Sequence, residues 1–291
     1  MLIKRVITAL VLAPLVVLAV IKLPTGGFAL LWGAIILLAT WEWTDLAGLQ
    51  SPVKRAFYVI AIALSMLFFY FWKNILEKIA IQFERGELLQ WSGVMDWWAV
   101  PVIGFWLVIG IKMRRSPTKL LEANWSTETK LIIGWIVLVF SWMFLRRLDS
   151  FWDWQMTLYF LFLIWIADIA AYFCGKYFGK HKLLPEISPG KTIEGLYGAL
   201  LAGLIYAVGT AIYYEYIPKA ILDFTFLSLI TIIFSVNGDL LVSLMKRTRG
   251  VKDTGSILPG HGGILDRIDG LLAATPVFYI GLVLLHRQFV G

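Results

Sequence analysis

The chain of 291 residues is too apolar for a protein that folds in water. Its hydrophobic share is 59%, its charged share 15% and its mean hydropathy +0.78, whereas a soluble domain carries roughly a quarter charged residues. This composition excludes an ordinary soluble domain and predicts an all-α polytopic membrane protein. The net charge of +7 predicts cytoplasmic loops that meet anionic lipids or solutes. Nucleic acid is not expected as a partner, because long apolar stretches separate the basic residues.

Apolar stretches long enough to cross a bilayer recur along the whole chain. The basic start of the first stretch is typical of a signal peptide, but no small-residue cleavage site follows, and we interpret it as a retained span. No repeat or long polar linker divides the chain, so we predict one membrane domain, 1–291, with one helical bundle. About nine transmembrane helices are expected, at 6–22, 27–41, 56–72, 94–111, 131–146, 155–174, 194–216, 221–243 and 271–289.

Three polar segments between these stretches carry an excess of Lys and Arg, at 112–130, 175–192 and 244–268. Segments of this kind face the cytoplasm. With nine spans, the N-terminus is then cytoplasmic and the C-terminus is outside. Two spans separate the last two basic segments, so these two share a side whatever the number of spans near the start.

The polar segment 243–269 combines features that suit phosphate chemistry. Its glycine-rich turn exposes backbone N–H groups, and Asp266 and Asp269 lie on one face if the segment is helical. Two carboxylates beside many cations indicate Mg²⁺ that bridges protein and phosphate. The alternative, a solvated basic loop, requires neither the glycines nor the paired acids. The cations of this segment are Lys246, Arg247, Arg249, Lys252 and Arg267.

The same segment resembles, position for position, the signature of the phosphatidate cytidylyltransferases, or CDP-diglyceride synthases. The matching residues are Ser243, Lys246-Arg247, Lys252-Asp253, Gly255, His261-Gly262-Gly263, Asp266-Arg267 and Asp269. The resemblance covers approximately residues 155–291, which would be the catalytic helices and cytoplasmic loops. Residues 1–150, the N-terminal scaffold helices, resemble the family only in hydropathy.

The resemblance implies an enzyme that condenses CTP with phosphatidic acid, giving CDP-diacylglycerol and pyrophosphate in phospholipid biosynthesis. It also implies a place in the bacterial inner membrane, an active site that faces the cytoplasm, and a homodimer. The nucleophile would be a phosphate oxygen, which is largely ionised near neutral pH. A strong general base is therefore unnecessary, and His261 suits a turn or a phosphate contact better than proton removal. The predicted catalytic residues are Lys246, Arg247, Lys252, His261 and Arg267.

A second polar segment, 171–195, resembles the family's other polar loop. Gly190-Lys191-Thr192 imitates the end of a P-loop, but Pro185 stands where its first glycine is required and no strand is expected before it. What remains is a basic loop that opens a helix, whose N-terminus favours phosphate. Thr192 is equally well explained as a helix cap. The predicted substrate-binding residues of both segments are Lys176, Lys182, Ser188, Lys191, Thr192, Ser243, Gly262 and Gly263.

Asp168 and Asp239 lie inside apolar stretches. A carboxylate at the centre of a span costs about 2.5–3.5 kcal/mol on insertion scales, so neither residue is expected to face lipid. A helix–helix hydrogen bond to a neighbour such as Asn237 would explain them, but a metal or substrate role is favoured. The predicted ligands of Mg²⁺, with or without a second cation, are Asp168, Asp239, Asp266 and Asp269.

Three other functions remain open at this point. A non-catalytic membrane transporter would show paired half-helices in a repeated architecture, which the sequence lacks. A sensor of anionic lipid would not need Asp266 and Asp269. A CTP-dependent lipid kinase would move the γ-phosphoryl group and release CDP, and product analysis separates it from a cytidylyltransferase.

Overall fold

The computed structural model describes residues 2–83, 93–257 and 262–290, with side chains from residue 11 to residue 285 within these ranges. This part of the chain consists of helices and one short hairpin, which confirms the all-α class. The helices are α1 (Leu2–Lys22), α2 (Thr25–Leu46), α3 (Pro52–Gln82), α4 (Val94–Trp97), α5 (Ala99–Arg115), α6 (Pro117–Glu122), α7 (Thr127–Phe178), α8 (Ile193–Tyr213), α9 (Pro218–Arg249) and α10 (Leu265–Val290). The antiparallel strands, which the sequence analysis did not predict, are β1 (Lys182–Leu184) and β2 (Ser188–Thr192).

Seven helical segments of the described residues are long and apolar enough to cross a bilayer, with α4 and α5 counted together. The prediction of about nine differs from this number for two reasons. The 52-residue helix α7 contains two predicted spans and breaks at Asp153, where φ 63° and ψ 173° are not helical. Unbroken, it would be roughly 78 Å long, far beyond the roughly 30 Å of a hydrocarbon core. Helix α1 adds only a shorter apolar stretch, Val11–Lys22.

Helices α7 to α10 pack on one another, and α2 lies against α7 and α10. Helices α9 and α10 approach so closely that two glycines are required where they meet. A Cβ atom at Gly238 would lie 2.2 Å from the backbone oxygen of Asp269, and one at Gly270 would lie 2.5 Å from Ser235 Oγ. Small residues allow such close approach between membrane helices. Asp239 and Asp269, the neighbours of these glycines, are thereby brought together.

The three basic segments meet at one end of the bundle, which we call the basic end. Lys130, in the first of these segments, interacts electrostatically with Arg249 in the third. Arg247 Nε, at the end of α9, donates to the Ile187 carbonyl oxygen of the hairpin at 3.2 Å. The second contact joins the last two basic segments and confirms that they share a side.

A different polar cluster, the distal triad, consists of Asp96 on α4, Arg147 on α7 and Tyr279 on α10. Arg147 Nη2 lies 2.6 Å from Asp96 Oδ1, and the Tyr279 hydroxyl donates to the same oxygen at 2.8 Å. Tyr279 follows the first residue of α10 by about 14 residues, roughly 21 Å along the helix axis. The distal triad therefore lies well away from the basic end.

Candidate active site

Side chains from four elements converge at the basic end and form what we call the site cluster: Asp168 (α7), Lys191 (β2), Asp239 (α9) and Asp269 (α10). Lys191 and Asp239 form an ion pair, and the carboxyl groups of Asp239 and Asp269 are within hydrogen-bonding reach of each other. Asp168 interacts electrostatically with Asp239 and Lys191. The cluster thus brings three carboxyl groups close to one ammonium group, and carboxylate oxygens are ligands that Mg²⁺ prefers.

Lys191 remains charged in this cluster. Burial by itself lowers the pKa of Lys191, but the neighbouring carboxylates, Asp239 first among them, outweigh burial and the pKa is raised. The side chains of Lys191 and Asp239 are 26% and 30% exposed. The Lys191 ammonium group is therefore protonated at neutral pH, and the ion pair is still accessible from outside the protein.

The donor atoms of the site cluster fit Mg²⁺ shared with a substrate. Among the described residues, no three His, Cys, Asp or Glu side chains are arranged to enclose a metal ion by themselves. Mg²⁺ usually takes only one or two carboxylates from the protein, and phosphate and water supply its other ligands. Asp239 and Asp269 are such a pair, with Asp168 close by.

Asp266 lies in a different environment from the other three predicted metal ligands. Its Oδ1 atom is 2.5 Å from Lys246 Nζ, and its Oδ2 atom accepts the backbone N–H groups of Thr254 at 2.8 Å and Gly263 at 3.2 Å. Its side chain is only 6% exposed. Protein groups thus occupy both oxygens. Lys246 also acts electrostatically on Asp239, so it connects Asp266 to the site cluster.

Glu42 on α2 belongs to this region, although the sequence analysis missed it. It is 3% exposed and accepts hydrogen bonds from Ile264 N at 3.0 Å, Leu265 N at 2.8 Å and Thr254 Oγ1 at 2.9 Å. The sequence does contain a signal for it. An acid in TWEWTDL, directly after an apolar stretch, is costly in a membrane unless it has partners.

The hairpin leads directly into the cap of α8. The Thr192 side chain accepts the backbone N–H of Gly195 at 3.1 Å and caps α8. Thr192 is 7% exposed, so its hydroxyl already has the role of a helix cap. The expectation that no strand precedes Lys191 was wrong, because β1 and β2 pair across a tight turn.

The remaining predicted residues are spread over the basic end. The ammonium of Lys176 lies 5.6 Å from the centre of the Tyr177 ring. Gly262 has a φ of 80°, in the left-handed region that favours glycine. Ser188 and Ser243 are largely covered, and His261 lies outside the described residues. The exposed cations among the predicted residues are Lys176, Lys182, Arg247, Lys252 and Arg267. Of these, Arg267 interacts electrostatically with Asp168.

Asn237 was named above as a hydrogen-bond partner that would explain Asp239 without a functional role, but its observed partner is a different residue. Its Oδ1 atom accepts from Arg114 Nη1 at 2.7 Å, so it joins α9 to α5. The partner of Asp239 is instead Lys191. Asp239 is therefore held by Lys191 and Asp269 and not by Asn237.

Comparison with known proteins extends the resemblance beyond the C-terminal half. The sequence pattern of the cytidylyltransferase family matches residues 3–285. Phosphatidate cytidylyltransferases of Haemophilus influenzae and Pseudomonas aeruginosa are each 35% identical to the chain, over 295 and 291 residues. Both alignments cover 96% of this chain. They cover 97% of the Haemophilus influenzae protein and 96% of the Pseudomonas aeruginosa protein. The relative of the same name from Bacillus subtilis is 43% identical over 143 residues. This alignment covers 48% of this chain and 51% of the length of that relative. The chain therefore belongs to the cytidylyltransferase family.

Proposed function

We propose that the protein transfers CMP from CTP to phosphatidic acid and releases pyrophosphate. The observation that carries this proposal is the alignment of nearly the whole chain with two relatives named phosphatidate cytidylyltransferase. The architecture agrees with it. A water-soluble nucleotide and a membrane lipid can meet only where helices end at the bilayer surface, and the site cluster lies at such an end.

The reaction forms one bond and breaks one. An oxygen of the phosphatidic acid phosphate attacks the α-phosphorus of CTP, and the bond from this phosphorus to the α–β bridging oxygen breaks. Pyrophosphate leaves with the bonding electrons, and CDP-diacylglycerol remains in the membrane. Because the attacking phosphate is largely dianionic near neutral pH, no side chain has to remove a proton. The barrier is the repulsion between two anions, which fixed positive charges reduce.

The basic residues of the last two polar segments would supply these charges. In this proposal Lys246, Arg247, Lys252 and Arg267 neutralise the triphosphate and the leaving pyrophosphate. The loop 176–192 then holds one of the two anionic substrates, with Lys191 next to the acids.

The metal assignment is part of the same proposal. Asp239 and Asp269 would hold Mg²⁺, with Asp168 beside them, and the bound ion would add positive charge at the phosphates. We leave Asp266 out of this ligand set because Lys246, Thr254 and Gly263 occupy its oxygens. Its proposed role is to fix the loop that precedes α10.

The orientation of the protein is inferred from its charges. The basic end would face the cytoplasm of a bacterium, with the N-terminus on the same side, since loops rich in Lys and Arg remain inside. This would place the site cluster on the side of the inner membrane that CTP can reach. The homodimer stays a prediction, which light scattering of the protein in detergent would check.

The deciding experiment is pyrophosphate release by the purified protein with Mg²⁺, CTP and phosphatidic acid, with each component omitted in turn. Release that requires all three, together with CMP on the lipid, is the expected result. Formation of CDP with a phosphorylated lipid would instead identify a kinase. No turnover by folded protein would contradict an enzymatic role.

A further inference from the structure

Glu42 ties the N-terminal half of the chain to the segment that precedes α10. The N–H groups at the start of a helix have no partners within the helix. The Glu42 carboxylate accepts two of them, from Ile264 and Leu265. A carboxylate in this position is also stabilised by the positive end of the helix dipole. The buried acid of α2 therefore fixes where α10 begins.

Two glycines of the motif segment fit closely around this carboxylate. A Cβ atom at Gly255 would lie 2.5 Å from Glu42 Oε1, and the three nearest atoms all belong to Glu42. A Cβ atom at Gly263 would lie 2.0 Å from Thr254 Oγ1 and 2.3 Å from Glu42 Oε2. Any larger residue at either position would collide with the carboxylate, and at Gly263 it would also collide with the Thr254 hydroxyl.

The contacts of Glu42 continue through Thr254 to the charged residues of the site. The Thr254 hydroxyl lies 2.9 Å from Glu42 Oε2 and 3.0 Å from Asp266 Oδ2. It has one proton and can donate to only one of the two carboxylates at a time. Asp266 in turn lies 2.5 Å from Lys246 Nζ. A continuous series of polar contacts thus runs from α2 to a cation proposed to act on the triphosphate.

We propose that Glu42 is a positioning residue for the CTP side of the active site, a role that rests on the proposed function. Its carboxylate touches no reacting atom. It holds Thr254, Ile264 and Leu265 in place. Through Thr254 it also holds the Asp266–Lys246 pair. The N-terminal half of the chain thereby takes part in organising the site.

The first test replaces Glu42 by Gln in the full-length protein. Gln has nearly the same shape, but its amide group cannot accept both backbone N–H groups and the Thr254 hydroxyl as a carboxylate does. We expect the KM for CTP to rise roughly 10-fold, since a misplacement of about 1 Å can cost about 10²-fold. The KM for phosphatidic acid should stay close to that of the unmodified protein, and the melting temperature should fall only by a few degrees, because a buried donor loses its acceptor.

The matched control is Asp45→Asn, an acid on the same helix whose side chain is 43% exposed. It should leave both KM values unchanged. A Glu42→Gln protein with unaltered kinetics would overturn the proposal. An equal rise in both KM values together with a much lower melting temperature would also overturn it, because that pattern is general destabilisation.

A second set of variants keeps the proposal testable if Glu42→Gln does not fold. Gly255→Ala should lower kcat/KM for CTP in the unmodified protein, because the new methyl group meets Glu42. In a Glu42→Asp background, which keeps a carboxylate but withdraws it from Gly255, the same change should cost little more. Additive losses would show that the two residues are not coupled and would refute the role of Glu42. Absence of pyrophosphate release from the unmodified protein would refute the proposed function instead.

Discussion

The site cluster and the distal triad are both polar groups inside an apolar bundle, yet their charges are arranged differently. In the distal triad, Arg147 and Asp96 neutralise each other, and the Tyr279 hydroxyl adds a hydrogen bond. The Arg147 and Asp96 side chains are 11% and 19% exposed. The site cluster has three carboxyl groups for one ammonium, and its ion pair is 26% and 30% exposed.

This difference distinguishes a structural charge pair from a site that requires a further partner. A membrane-embedded acid is expensive wherever it lies, so burial alone cannot identify function. In a structural charge pair, the two side chains neutralise each other and are little exposed. The site cluster instead combines accessible carboxyl groups with the nearby cations Lys246 and Arg267, which is what a metal ion and an anionic substrate would need.

The largest expected effect comes from Asp269→Asn in the site cluster. Removing this charge should lower turnover on the order of 10³-fold, the range seen when a key electrostatic group is lost, without lowering the melting temperature. Asp149→Asn, a buried acid outside the cluster, is the control and should keep its rate. Assays of pyrophosphate release at ordinary Mg²⁺ would check this, and an active Asp269→Asn protein would contradict the metal assignment.

The opposite result is expected when the distal triad is broken. Arg147→Met leaves Asp96 as a buried charge without its cation, which should cost about 3–5 kcal/mol of stability. Turnover per folded molecule should stay unchanged. Thermal unfolding in detergent, compared with Asp96→Asn and with the double variant, measures the coupling of the pair. Loss of turnover without loss of stability would mean that the triad serves the reaction.

A smaller effect is expected from Gly238→Ala. The added methyl group would collide with the backbone oxygen of Asp269, and overpacking of this kind costs about 1–3 kcal/mol. Because the collision moves α9 away from α10, turnover should fall along with the melting temperature. The control is Gly209→Ala, where a Cβ atom would meet no atom within 4 Å. Equal behaviour of the two variants would mean that the helix contact does not set the geometry of the site cluster.

The smallest effect is expected from Thr192→Ala, which removes the cap of α8. Loss of a helix cap costs about 1 kcal/mol, and turnover should change little. Thr192→Ser keeps the hydroxyl and should restore the melting temperature. A drop in turnover much larger than the drop in stability would instead show that the hydroxyl contacts substrate, which is the alternative that the sequence left open.

Much of the fold could be predicted because hydropathy reports directly on the bilayer. The apolar stretches lie on the observed helices, and charge counting placed the last two basic segments on one side, as Arg247 and Ile187 confirm. The break of α7 at Asp153 was not predicted, since a local backbone angle has no hydropathy signal. The hairpin was missed for a similar reason, because its strands have only three and five residues.

The site was predicted less completely, because contacts between distant segments are not visible in a linear pattern. The motif predicted Asp266 and Asp269 as equivalent acids. In the structure, Asp266 pairs with Lys246, whereas Asp269 contacts the residues of the site cluster. Glu42 was missed because its partners, Ile264 and Leu265, are more than 200 residues away along the chain. The metal and substrate roles of the predicted residues stay predictions.

The contact between α9 and α10 has a consequence for how such an enzyme can diverge. Gly238 precedes Asp239 and Gly270 follows Asp269, and at both glycines the two helices approach closely. The spacing of the two acids is thus set by touching backbones rather than by the loops around them. Loops that select nucleotide or lipid could therefore lengthen, shorten or be exchanged between relatives while the acidic pair kept its geometry, so that specificity and chemistry are free to evolve separately.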